Sequence, residues 1–252
     1  MAKNDEFYIG YLDRPPVGIK KFVKKAVVGV FCIAAIVALI LVTGQLPFAA
    51  SLFEFGNERT FEGIIQERPY PILLVDRPGQ TGQADGLSRY PLVAFGKMGA
   101  DGLVANLSGQ RVKLDGTLIY RDNQTMIEVV DGTVQVIGSN TTDIPVGQSL
   151  GVQTLVGEIV DSKCFLGVMN PGNLKPHKAC AIRCISGGIP PIFLVRDKAN
   201  HASHYLLVSQ DGQSVNQQVL DKIAEPLRIV GEVIVQGDLK ILKADPKMFQ
   251  RM

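Results

Sequence analysis

Four residues in one short stretch carry the chemistry this sequence offers: Cys164, His177, Cys180 and Cys184. They lie within 160–195, and the only other cysteine, Cys32, falls in an apolar run far upstream. Segment 176–186 (PHKACAIRCIS) predicts about three helical turns, with Pro176 suited to the first turn and Gly187-Gly188 to the stop. On that helix His177, Cys180 and Cys184 stand at i, i+3 and i+7 and share a face. Cys164 closes the preceding strand, and the Gly/Pro-rich loop between lets it approach that face. Three soft sulfurs and an imidazole make a plausible tetrahedral set for zinc or Cu(I). Asp161 adjoins them and is placed to orient His177 from outside the ligand set.

Disulfide chemistry competes with metal binding here. In an oxidising compartment Cys164 could pair with Cys180 or Cys184 and pin the helix. Cysteines four apart on one helix are poorly placed to pair with each other. One thiol is left over in either pairing, which keeps metal, haem and thiol-redox readings open.

The run Cys164…His177-x2-Cys180-Ala181-x2-Cys184…Gly188-Ile189-Pro190, after a GEIVD strand, resembles a group of small exported bacterial β proteins. Their pattern runs roughly G-x-V-V-D-x-x-C…H-x-x-C-A-x-x-C…G-x-P. The similarity spans about 155–245. It implies an exported compartment and joint action of the four residues, and supplies no reaction.

Two weaker signals remain. His201 and Tyr205 form His-x3-Tyr, with His204 between them. The pattern is similar to the periplasmic haem chaperone of cytochrome c maturation, which has one N-terminal anchor and an OB-like barrel. Here the motif falls between two strands, and 197–203 reads equally as a solvated turn. His201 and His204 could instead complete a copper site with Cys180 and Cys184. Met98 and Met169 are potential thioether ligands, although packing explains such residues more often. Tyr70, Tyr90 and Tyr120 could line a binding face or simply pack.

These residues must be held by a β framework. Strand-like runs occur at 61–67, 70–76, 90–95 and 111–130, the last broken by the Arg121-Asp122-Asn123 turn. A second series, at 155–161, 191–197, 204–210 and 227–245, repeats the order. The period of about 90–100 residues is too long for a solenoid and predicts two domains, 58–138 and 151–246, joined by a linker at 139–150. Gly116 and Gly231 inside long strand patterns predict sharp bends. The expected fold is mainly β: two tandem OB-like small barrels, the second bearing the short Cys/His helix.

Upstream, 26–46 is apolar and free of charge, long enough for one transmembrane helix. Lys20, Lys21, Lys24 and Lys25 precede it, so 1–25 reads as a cytoplasmic basic tail and the body as extracytoplasmic, on an inner-membrane anchor. A cleaved signal peptide is the rival reading.

The chain holds 26 basic and 24 acidic residues; the first 25 positions contain six and three of these, leaving 20 and 21 in the rest. A body without basic surplus disfavours nucleic acid as a partner. No Ser/His/Asp arrangement, phosphate loop or paired carboxylates point to an enzyme. The expectation is a single-pass accessory protein that binds a metal (zinc or copper), a haem or a redox partner beside a membrane or periplasmic protein. The alternative is a structural or assembly module whose cysteines form a disulfide.

Overall fold

The computed structural model describes residues 16–45, 51–77, 86–139, 146–199 and 201–252. Most of the expected cytoplasmic tail (1–15), Leu46 and the centre of the linker (140–145) lie outside them.

Helix α1, Val17–Gln45, is 29 residues long. It begins nine residues before the expected start and takes in all four lysines. Pro16 accepts the first helical bond, from Lys20 N at 2.8 Å, and lysine is a good helix former. At 1.5 Å per residue the helix is about 43 Å long, longer than the roughly 30 Å hydrocarbon core. Its apolar window is unburied, and its length and composition make it a candidate membrane span.

The remainder, from Ala50 to Met252, is one compact unit containing two closed five-stranded barrels in sequence. The first uses β1 (Ser51–Phe53), β2 (Arg59–Gln66), β3 (Ile72–Asp76), β4 (Leu87–Val93), β5 (Gln110–Arg121), β6 (Gln124–Val129) and β7 (Gln135–Ser139). Its ring runs β2-β3-β4-β6-β5 and back to β2, with β1 and β7 added to β5. All neighbours are antiparallel except β4 and β6, which close the ring in parallel with Leu92 opposite Ile127. The second uses β8 (Gln148–Asp161), β9 (Pro191–Arg196), β10 (Ala202–Val208), β11 (Leu227–Gln236), β12 (Leu239–Lys243) and β13 (Gln250–Arg251). Its ring, β8-β9-β10-β12-β11, has the same order and the same single parallel pair, β10 with β12. The repeat in the sequence is thus a repeat of topology, and both barrels are OB-like. Each reaches beyond its expected bounds, to β1 in the first and β13 in the second.

The long strands bend where the glycines stand. Gly116 is the residue at which β5 passes from β2 to β6. A Cβ there would lie 2.3 Å from the Ile127 side chain. In β11 a Cβ on Gly231 would lie 2.6 Å from Lys243 O, and the pairing with β8 shifts register just beyond it, between Glu232 and Ile234.

Each barrel has its own interior: Ile65, Leu73, Val112 and Ile127 in the first, and Ile159, Phe193, Leu207 and Val233 in the second. Two further clusters cross between the barrels. Ile64, Tyr70, Ile72 and Leu74 pack on Leu206, Val208 and Leu239. Val93, Ile119 and Met126 pack on Val160, Cys164, Phe165 and Cys184. Tyr70 Oη donates to Leu207 O and accepts from Val215 N, both at 3.0 Å. Burial pushes its phenol well above the ordinary tyrosine range. The barrels therefore share an apolar seam, with Cys164 and Cys184 buried in it and Cys180 at its edge.

Candidate metal centre

Strand β8 ends at Asp161, and the chain turns at once into a π-helical turn, Cys164–Val168. Asp161 Oδ1 accepts from Cys164 N at 2.8 Å, and Met169 N reaches back to Cys164 O at 3.1 Å. These bonds aim the Cys164 side chain into the seam. Helix α2, Leu174–Ser186, then supplies the other ligands. It starts two residues before the expected Pro176, because the Glu158 carboxylate on β8 takes the free Leu174 N–H at 2.9 Å. Burial pushes the Glu158 carboxyl up against these bonds. At the other end Asn216 Nδ2 donates to Ile185 O and Ile189 O, at 2.7 and 2.9 Å. The helix is therefore held at both ends with one face fixed on the seam.

On that face His177 and Cys184 are buried and Cys180 is half-buried. Cys164 Sγ stands 4.0 Å from Cys180 Sγ and 3.9 Å from Cys184 Sγ. All three thiols are free. The sulfurs are about twice an S–S bond apart, so the expected disulfide, to Cys180 or to Cys184, is not formed. Cys164 is nearly equidistant from both partners, the arrangement of a converging trio and not of a pair with a spare.

The expected four-residue set divides in two. Cys164, Cys180 and Cys184 form one group able to hold a metal ion, and Asp161, Cys164 and His177 form another. His177 Nε2 lies 2.9 Å from Asp161 Oδ2, with both side chains almost wholly buried. Asp161 thus meets His177 with one oxygen and Cys164 N with the other.

A residue that sequence reasoning missed completes the site. Lys97, on the loop after β4 of the first barrel, donates to Cys180 Sγ at 2.7 Å and to Cys184 Sγ at 3.8 Å. Its loop is clamped from two sides. Lys163 Nζ donates to Ala94 O and Gly96 O, at 2.8 and 2.7 Å, and pairs with Glu128. Gly99 N bonds Gly187 O at 2.9 Å. The approach is so close that a Cβ on Gly187 would lie 2.1 Å from Lys97 O. The first barrel contains no Cys or His, so nothing in its sequence pointed to the site; Lys163, beside Cys164 just after the end of β8, was the one available hint.

The charges are ordered. The hydrogen bond from Cys164, aided by Lys97, holds the Cys184 thiol below its ordinary range against burial. Cys164 is pushed far up, first by donating that bond, then by burial and the Asp161 charge. Lys97 is held above its usual value, chiefly by its bond to Cys180. These shifts order the thiols, with Cys184 ionising before Cys164 and the Lys97 ammonium beside them.

The remaining candidates are not brought to this centre. His201 is exposed, and its Nδ1 contacts Asp197 Oδ2 at 3.0 Å in the turn that the sequence suggested. His204 is buried in the seam, 5.2 Å from the Phe165 ring. Burial lowers its imidazole to about 4. Tyr205 packs toward the second barrel's interior, with Lys240 Nζ 5.8 Å from its ring. His201 thus closes a turn and Tyr205 packs on a core, and neither His201 nor His204 joins Cys180 and Cys184 in a metal-capable group among the described residues. Met98 and Met169 are exposed. Tyr70 is in the seam, and Tyr90 packs under Arg77. No protein-family model matches the chain, and no curated protein matches it by sequence.

Proposed function

We propose that this chain is a membrane-anchored, extracytoplasmic metal-binding accessory protein whose ion is held by the thiolates of Cys164, Cys180 and Cys184. One observation carries the reading: the sulfur triangle with sides of 3.9 and 4.0 Å. Cys180 and Cys184 also lie within 4.8 Å of each other, spacings at which one ion could bind all three sulfurs through zinc–thiolate bonds of about 2.3 Å. Thiolates select zinc and Cu(I) over hard cations. His177 orients the ligands through Asp161 and does not itself bind the ion.

The lysines at the start of α1 support a cytoplasmic N-terminus and an exported body on the inner membrane. The resemblance of 155–245 to small exported bacterial β proteins supports the same compartment. Tethering raises the concentration of the site near a membrane or periplasmic partner, which is the use of an anchor on an accessory protein.

The test is metal content. The full chain, purified in mild detergent without chelator, should carry close to one zinc or copper per molecule. Cys164→Ser and Cys184→Ser should each weaken binding by at least about ten-fold, the loss already typical of removing an outer-shell partner of a ligand. A metal-free protein that cannot be loaded anaerobically would defeat the proposal.

A further inference from the structure

We infer that the metal centre keeps an open coordination position on its Lys97 side, and that this position takes a small anion or an external thiolate held by the Lys97 ammonium. The inference rests on the three-thiolate reading above and goes beyond it by naming the site's exchangeable ligand.

Structural zinc sites are closed by four protein ligands, whereas sites that do chemistry or exchange keep three and an open position. Here three sulfurs converge, and His177, expected as the fourth ligand, has one ring nitrogen, Nε2, on Asp161 Oδ2 at 2.9 Å. Neither metal-capable group unites His177 with all three sulfurs.

The surroundings are asymmetric. Cys164 and Cys184 are buried, while Cys180 is half-buried and Lys97 is exposed. The trio is therefore reached from the Cys180 edge, where Lys97 Nζ stands 2.7 Å from Cys180 and 3.8 Å from Cys184. An ammonium is a poor metal ligand but a strong donor to an anion. It comes from the opposite barrel, on a loop pinned by Lys163 beside Cys164 and by Gly187 at the C-terminal end of α2, so its position is fixed relative to the trio. Anchored backbone and a charged head at the mouth are what an anion needs beside an open metal position. A thiolate from a partner protein or a small thiol presents the same charge and softness as the resident ligands. Such a ligand is the means by which a thiolate-bound ion passes between proteins.

Cobalt(II) is the probe, because its visible spectrum reports coordination number and sulfur ligation. The full chain in detergent is loaded anaerobically with cobalt and titrated with azide, then with cysteine. Sulfur-to-cobalt charge-transfer absorption establishes the three-thiolate site; its absence defeats that reading and this one together. With the site established, saturable changes in the visible bands on adding azide and cysteine are the expected result. Lys97→Met should weaken azide binding to the cobalt form by about ten-fold or more, and Lys97→Arg should recover much of it. A cobalt spectrum indifferent to both ligands would show a closed site and overturn the inference while leaving the metal reading intact. Azide binding equal in the parent and Lys97→Met proteins would remove Lys97 from it.

Discussion

Among single residues, Asp161 does the most ordering. One oxygen fixes Cys164 N and the other meets His177, with the carboxylate fully buried. Removing His177 strips that charge of its partner. His177→Ala should therefore cost about 3 kcal/mol in chemical denaturation, yet the chain should retain its metal under native conditions. Loss of metal with unchanged stability would instead make His177 a ligand. His204 gives a second prediction. Its imidazole titrates near 6.5 when unfolded and at about 4 in the fold. Between those values the unfolded chain binds the extra proton, so stability falls as pH drops through the window. The loss should approach about 3 kcal/mol by pH 4. His204→Leu should remove that part of the acid slope, as read by denaturation midpoints at pH 7 and pH 4. An unchanged slope would mean that His204 is not buried as seen. The cysteines and Asp161 were legible in the sequence because they cluster within one turn and one helix face. Spacing showed which residues share that face and placed Asp161 beside His177, but not that His177 would fall in a group apart from Cys180 and Cys184. Lys97 is 83 residues from Cys180, and no local pattern links them.

At the level of elements, the strand pattern was readable wherever apolar residues ran between turn residues, and the bends at Gly116 and Gly231 followed from glycine inside a strand. Boundaries were less legible. Lysines start α1 as readily as apolar residues extend it, so charge marked the edge of the apolar run and not the helix end. The start of α2 is set by Glu158, a residue on another element. The loop carrying Lys97 is the element on which the site's mouth depends. Gly187→Ala would drive a methyl group into Lys97 O and should lift that loop. Hydrogen exchange at the amides of 94–99 should accelerate markedly while exchange within β8 and β9 stays slow. Unchanged protection in the loop would show that Gly187 does not clamp it.

For the whole molecule, the two barrels form one compact unit with a shared apolar seam. Ile64 and Ile65 are adjacent in β2 and both buried, one facing the other barrel and one facing the interior. Ile72, Leu73 and Leu74 are likewise all buried. Continuous apolar runs of this kind mark strands covered on both faces. The joint packing was thus written in the sequence but is indistinguishable there from a strand buried inside a larger sheet. Because Tyr70 bonds two backbone groups of the second barrel, Tyr70→Phe leaves both without that partner and should cost about 1–3 kcal/mol. Calorimetry should show a single transition in parent and variant alike, with both barrels melting together. Two separable transitions would mean that the seam contributes little.

The most direct test of the central claim is X-ray absorption at the metal edge of the full chain, purified anaerobically in detergent and loaded with zinc. Three sulfur neighbours at about 2.3 Å, with at most one lighter atom beside them, are the expected result. Fewer than three sulfurs, or an imidazole in the shell from His177, would contradict the three-thiolate centre.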